Sequence, residues 1–207
     1  MKRTLFVSVL ALMLSFSLSS GAYAWDKGDS GFGVRSGINI VTITNFNAKA
    51  GFHVGGLYRL KIAKNHPLYF EPGLFYQLKG GNTSQPGGVK IKSTLSFLEI
   101  QMPFGYRLDI NDKWAIEPLF GPYMAIGVAG KSKQSFQGHT NSVNIFGDRG
   151  GLNRFDFGMK VAVNVLVNKV CFGAGYDAGM INMVKNYQQG NPKSRMVSFY
   201  LTAGYNF

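Results

Sequence analysis

The sequence predicts an all-β protein: an eight-stranded antiparallel up-and-down transmembrane β-barrel with a polar interior filled by side chains. Three observations predict it. Segment after segment alternates apolar with small or polar residues, at the side-chain period of two that marks a strand. Every charge inside those segments falls on the small, polar face. Beyond residue 24, no apolar stretch reaches the roughly 20 residues that a transmembrane helix needs. Such a chain crosses a bilayer only as a closed barrel, with its backbone groups paired between strands. The 27 glycines and the lack of a sustained 3.6-residue period also argue against helix.

The chain opens with Lys2 and Arg3, an apolar run over residues 5–18, and the small-residue site Ala22-Tyr23-Ala24. A charged start, an apolar stretch and an A-x-A site form the layout of a secretory signal peptide, so residues 1–24 read as a signal removed after Ala24. Residues 25–207 then make one barrel domain. The single Cys171 forbids an intramolecular disulfide and reads as a buried, inert thiol in a strand.

The segments follow in order. In the first, Phe32, Val34, Ile38 and Ile40 oppose Gly33, Arg35, Gly37 and Asn39. In the second, Phe52, Val54, Tyr58, Leu60 and Ile62 oppose Gly51, His53, Gly55, Leu57 and Arg59. The third sets Leu68, Phe70, Pro72, Leu74, Tyr76 and Leu78 against Tyr69, Glu71, Gly73, Phe75 and Gln77. The fourth sets Leu98, Ile100, Met102, Phe104, Tyr106 and Leu108 against Glu99, Gln101, Pro103, Gly105 and Arg107. In the fifth, Trp114 through Val128 at alternate positions oppose Glu117, Gly121, Tyr123 and Gly127. The sixth carries Phe155, Phe157, Met159, Val161, Val163 and Val165 opposite Asp156, Gly158, Lys160, Ala162 and Asn164. The seventh carries Val170, Phe172, Ala174, Tyr176 and Ala178 opposite Cys171, Gly173, Gly175, Asp177 and Gly179. The eighth, residues 196–207, alternates strictly and ends on an aromatic. Prolines 72, 103, 118 and 122 each remove a ladder donor, so they are expected at bulges or strand ends.

Charge position decides which face meets lipid. Arg35, Arg59, Glu71, Glu99, Arg107, Glu117, Asp156, Lys160 and Asp177 all lie on the polar face. A charge on the lipid face costs roughly 2–4 kcal/mol at the midplane, so these nine are expected inside, as a lumen charge network. A water-soluble barrel of the lipocalin kind would carry the opposite pattern, apolar within.

Connections near residues 63–66, 110–113 and 167–169 are short. Longer loops are expected over residues 79–92, 130–154 and 181–195, with a short connection near residues 45–47. Short periplasmic turns and long extracellular loops are the rule for outer-membrane barrels, which places both termini in the periplasm. The long loops are basic: Lys79, Lys90, Lys92, Lys131, Lys133, Arg149, Lys185, Lys193 and Arg195 stand against a lone Asp148. They read either as a solvated rim or as a field that recruits anionic partners such as lipopolysaccharide phosphates. No nucleic-acid-binding motif accompanies them, so nucleic acid is not an expected partner.

The last strand, with Phe199, Leu201, Tyr205 and Phe207 on its apolar face, resembles the closing strand of bacterial outer-membrane barrels, read by the assembly machinery. Four stretches extend the likeness: FGVRSGIN (32–39), LYFEPGLFYQ (68–77), FLEIQMPF (97–104) and IEPLFGPY (116–123), with YNF at 205–207. In this order they resemble the PorT-like outer-membrane β-barrel family of Bacteroidetes-type bacteria. That resemblance implies residence in the outer membrane bilayer and a structural, surface-interaction or secretion-associated role, with a secretion component as partner. It brings no catalytic motif and no cofactor.

Two other functions are open to a small barrel. An eight-stranded barrel leaves an interior only just filled by side chains, which disfavours a small-solute porin. A lipid A-modifying enzyme needs a nucleophile, a base and an orienting group in reach of one another. His53 faces inward in a strand, whereas His66 falls in a turn and His139 in a loop near Ser142, and none forms such a set. Scattered over separate elements, the three also make a poor metal site. No catalytic, metal or cofactor-binding residue is expected.

Overall fold

The structure is a computed structural model that describes residues 30–44, 47–63, 66–85, 89–136, 139–146, 151–185 and 194–207. The expected signal peptide at 1–24 lies outside the described residues. Alternation of side chains across a pleated backbone yields twelve strands in one antiparallel sheet: β1 (Gly31–Ile43), β2 (Lys49–Lys61), β3 (Leu68–Phe70), β4 (Gly73–Gln85), β5 (Val89–Gln101), β6 (Phe104–Tyr106), β7 (Leu108–Asp109), β8 (Trp114–Phe136), β9 (His139–Asn144), β10 (Phe155–Val167), β11 (Val170–Gly179) and β12 (Met196–Asn206).

The sheet closes on itself because β1 pairs with both β2 and β12. β3 and β4 share one stave, and β5, β6 and β7 share the next. β9 folds back on β8 alone, so the ring has eight staves among the described residues. The closing ladder runs from Gly33 opposite Asn206 to Ile43 opposite Met196. Beyond it, the Phe207 amide donates to the Phe32 carbonyl at 2.9 Å. The start of β1 and the end of β12 therefore share the short-turn end of the barrel. At that end, Asn168 takes φ 54° between β10 and β11, a left-handed conformation that asparagine tolerates better than most residues. The Asn111 side chain accepts from the amides of Lys113 and Trp114, closing the turn into β8.

The prolines need one correction. Pro72 and Pro103 do interrupt their staves, splitting β3 from β4 and β5 from β6. Pro118 and Pro122, expected at bulges or strand ends, instead lie inside β8. The ladder tolerates them because the neighbouring stave is already gapped there. Pro122 faces the break at Met102-Pro103, and its carbonyl still accepts from the Met102 amide at 3.0 Å. Pro118 falls in the gap between the β6–β8 and β7–β8 ladders. A proline lacks a donor but keeps its acceptor, so the seam continues: Glu71 donates to Pro103, and Tyr58 to Pro72, each at 2.9 Å.

The expected long loops are corrected too. β4 and β5 stay paired from Gly73–Gln101 to Gln85–Val89, so most of 79–92 is hairpin. β8 runs to Phe136 and returns as β9, which converts much of 130–154 to strand and puts His139 at a strand start. The alternation fades there because outward positions turn polar, at Lys92, Thr94, Lys131 and Lys133. A bulge shifts parity as well. Ser96 opposes Ala129 and Phe97 opposes Gly127, which leaves Val128 as the extra residue.

Candidate functional site

Burial in this barrel is inverted. Large apolar residues stand half exposed on the outer wall, among them Phe32, Ile38, Phe120, Val161 and Phe199, whereas the charged residues are buried inside. All nine charges expected in the lumen, Arg35, Arg59, Glu71, Glu99, Arg107, Glu117, Asp156, Lys160 and Asp177, are buried in the structure. A tenth joins them. Lys79, assigned to an outer loop from the sequence, is 2 % exposed and donates to Glu99 at 3.1 Å. Its parity was the missed signal, because it continues the inward series Phe75, Gln77. Five bases and five acids are therefore buried among the described residues.

The charges form two layers. Nearer the short-turn end, β2 supplies Arg59, whose Nε donates to Glu71 at 2.6 Å and whose Nη1 donates to Glu117 at 2.7 Å. Its second Nη closes a bidentate pair with Glu117, the fork geometry that suits guanidinium to carboxylate. The Tyr69 ring lies 4.8 Å from this guanidinium. Arg107 bonds Asp109 at 2.7 Å and approaches Glu117 at 3.8 Å. Arg35 donates to Asn206 at 2.6 Å and to two backbone carbonyls.

Higher up, Glu99 is the centre. It accepts from Lys79 and from Gln101 at 3.0 Å, with Lys160 at 3.8 Å. Lys160 in turn pairs with Asp177 at 2.5 Å and faces the Tyr200 ring at 4.2 Å. The Tyr123 hydroxyl donates to Asp156 at 3.1 Å. Between the layers lies a cavity of about 50 Å³ touched by Arg35, His53, Gln77, Lys160 and Asn164. That volume holds a few waters.

At the long-hairpin end an apolar plug fills the mouth. Val41, Ile43, Leu95, Phe97, Ala125 and Met196 line the wall, and Phe146 and Met183 enter from the segments after β9 and β11. Phe146 sits over Gly127 and Gly130, where a Cβ would come within 2.5 and 2.7 Å of its ring. The two segments hold each other: the Asn153 backbone amide donates to the Met183 carbonyl at 2.7 Å and its side-chain amide to the Asn182 carbonyl at 2.8 Å, while the Asn182 side chain accepts from the amides of Val184 and Ser194 within its own segment. Arg154 ties the plug to β8 through the Phe146 and Gly127 carbonyls. Sequence reasoning missed Phe146 and Met183, because irregular segments carry no periodic signal. Near the short-turn end, Ala115, Leu166 and Cys171 form a small second apolar cluster.

The residues read as an assembly signal, Phe199, Leu201, Tyr205 and Phe207, all lie on the outer wall of β12 or just past it. His53 stands between the rings of Phe75 and Tyr200. Among the described residues, no group of three or more His, Cys, Asp or Glu is placed to hold a metal ion.

No curated protein matches the chain. Solved structures similar to it include Ail, the attachment invasion locus protein of Yersinia pestis, at 16% identity over 88% of this chain and 100% of that one, with a TM-score of 0.41. Neisserial surface protein A is 16% identical over 87% of this chain and 100% of that chain, with a TM-score of 0.45. The N-terminal β-barrel domain of Pseudomonas aeruginosa OprF is 10% identical over 86% and 100%, with a TM-score of 0.36. Residues 15–185 match the model of the outer membrane protein β-barrel domain, and the chain, with its closed antiparallel sheet and apolar outer wall, belongs to that family.

Proposed function

We propose that this protein is a sealed, non-enzymatic outer-membrane barrel that works through its long-hairpin surface. On this reading the signal peptide at 1–24 exports it, both termini lie in the periplasm, and the hairpins β4–β5 and β8–β9 stand outside the cell. Its role is structural, surface-interacting or secretion-associated, in the manner of the PorT-like proteins its motifs resemble. The observation that carries the proposal is the filled lumen: two layers of buried ion pairs lie beneath an apolar plug, and from this filling we infer that solutes do not pass. A small-solute porin needs the reverse.

Single-channel recording of the refolded full chain in planar bilayers tests this directly. Silence or rare small steps are expected, and stable large conductances overturn the proposal. Deletion of the gene, followed by localisation of secreted surface proteins, tests the secretion-associated role. Unaltered localisation removes that role and leaves surface interaction.

A further inference from the structure

Four lysines gather on the outer wall at the base of the long hairpins. Lys92 of β5 lies directly opposite Lys133 of β8, and Lys131 lies opposite Thr94. Lys92, Thr94, Lys131 and Lys133 are all exposed. Lys49 reaches the same place from β2. Its ammonium donates to Thr94 Oγ1 at 2.7 Å and to the Ser93 carbonyl at 2.9 Å. Gly80 makes that crossing of β4 feasible, since a Cβ there would come within 3.0 Å of Lys49 Cδ. Lys49 thus contacts Thr94, while Lys131 lies directly across the ladder from it and the Lys92–Lys133 pair is the next outward pair along.

Like charges directly opposite on adjacent strands are destabilising. Among the described residues, no carboxylate offsets them. Among the described residues, every acid lies either in the lumen or, as Asp109 and Asp112, at the short-turn end. The lysines of this wall therefore have no described acid beside them, in a chain whose formal net charge is +12. The level of the cluster identifies what compensates it. Immediately below are Ser96 and Tyr76, the Tyr76 hydroxyl donating upward to Ser96 at 2.9 Å. Below them the wall is apolar, with Leu98, Ile100, Ile126 and Val128 exposed. An outward tyrosine with an apolar body and a polar tip marks a membrane interface. Thr94 stands four residues, about 13 Å along the strand, above Leu98, which puts it among headgroups and clear of acyl chains.

We propose that Lys49, Lys92, Lys131 and Lys133, with the Thr94 hydroxyl, bind the phosphate of an anionic lipid headgroup in the outer leaflet. The site rests on the outer-membrane orientation proposed above. Three ammonium groups on mobile stems surround the phosphate oxygens, and Lys49 holds the fourth corner through Thr94. Bound phosphate turns a repulsive cross-strand pair into a bridged one, so the ligand stabilises the hairpin base as well as anchoring it.

The test uses the full-length barrel, refolded in phosphatidylcholine bilayers, with its unfolding midpoint read as lipid is added. Bisphosphorylated lipid A is expected to raise the midpoint, with an effect that shrinks as salt rises. Enzymatically dephosphorylated lipid A is expected to leave it unchanged. The double variant K92Q/K133Q should bind phosphorylated lipid A at least about tenfold more weakly. Without lipid A it should be as stable as the parent or more so, because the repulsion is gone. The control K113Q/K169Q, at the other end, should behave as the parent. An equal response to dephosphorylated lipid, a K92Q/K133Q variant that keeps the full response, or an equal effect of inorganic phosphate alone each overturns the proposal. Bilayer conductance, measured on the same samples, reads the sealed-barrel proposal separately: a conducting barrel that still binds refutes that reading and leaves this site standing.

Discussion

Replacing Glu99 with alanine probes the upper charge layer at its centre. The carboxylate is 0 % exposed, accepts from Lys79 and Gln101, and lies 3.8 Å from Lys160. At an effective dielectric of about 20, the attraction to Lys79 alone is about 5 kcal/mol before desolvation. Most of that is offset by the burial of both charges, so the intact pair adds little net stability. Its rupture is different. Lys160 keeps Asp177, but Lys79 is left with ring faces, those of Phe97 and Tyr123 at 5.6 and 5.5 Å, and with Asp156 and Asp177 acting on it only from beyond ion-pair contact. An uncompensated buried ammonium costs about 3–5 kcal/mol. E99A is expected to lose that much in urea unfolding of the lipid-embedded barrel, followed by tryptophan fluorescence and extrapolated linearly. The double variant K79M/E99L removes both charges and should recover more than half of the loss. If E99A unfolds at the parental midpoint, Glu99 is hydrated and the layer is not closed. If the double variant is as unstable as E99A, the cost is lost packing and the ion-pair argument fails.

Other outcomes follow from the same faces. Met159→Lys, on the outer wall of β10, should cut the yield of folded, heat-modifiable barrel by the equivalent of roughly 2–4 kcal/mol. Gly151→Lys, where a Cβ meets nothing within 4 Å, should fold as the parent does, and equal yields of the two variants would invert the face assignment. Phe146→Ala should speed proteolysis of residues 145–154, because it empties the seat over Gly127 and Gly130. It should leave conductance unchanged, since the Arg59–Glu117 layer still closes the lumen; protection equal to the parent's would mean that the plug does not depend on this ring. Cys171, 0 % exposed beside Ala115 and Leu166, should resist maleimide in the folded barrel and react once urea unfolds it. Rapid labelling of the folded form would indicate a hydrated lumen.

The barrel was legible where the bilayer enforces it. Alternation along residues 32–40, 155–165 and 196–207 reports a wall with lipid on one side, and the strands there match it. Above the lipid, outward positions no longer need apolar side chains, so β5 and β8 continued unseen past Thr94 and Lys131. The Val128 bulge compounded this by shifting parity within one strand. Lys79 was misplaced for the same reason: the reading stopped at Leu78, one residue before an inward lysine. The plug was illegible for a different reason. Phe146 and Met183 act from irregular segments, whose contacts depend on where the closed barrel carries them rather than on any local pattern.

Lys79 also bears on how the chain distributes its charge. A lumen of eight staves is largely filled by side chains, so a buried base needs an acid within a few ångströms or a ring of dipoles in its place. Nine charges left that account one base short; with Lys79 the buried set is five against five. Among the described residues, the surplus of positive charge then falls outside this buried set. Neutrality inside constrains substitution there to pairs, whereas the exterior tolerates single gains of charge. A lysine added to the lumen should therefore be far more damaging than one added to the hairpins, even though both leave the apolar wall untouched. Asn164→Lys, inside β10 and lining the cavity, against Asn141→Lys on exposed β9 is the direct comparison. Only the first should lower the folded yield, and an added acid at Gln77, which lines the same cavity, should restore part of it. Failure of that rescue would show that bulk, and not charge, limits what the lumen accepts.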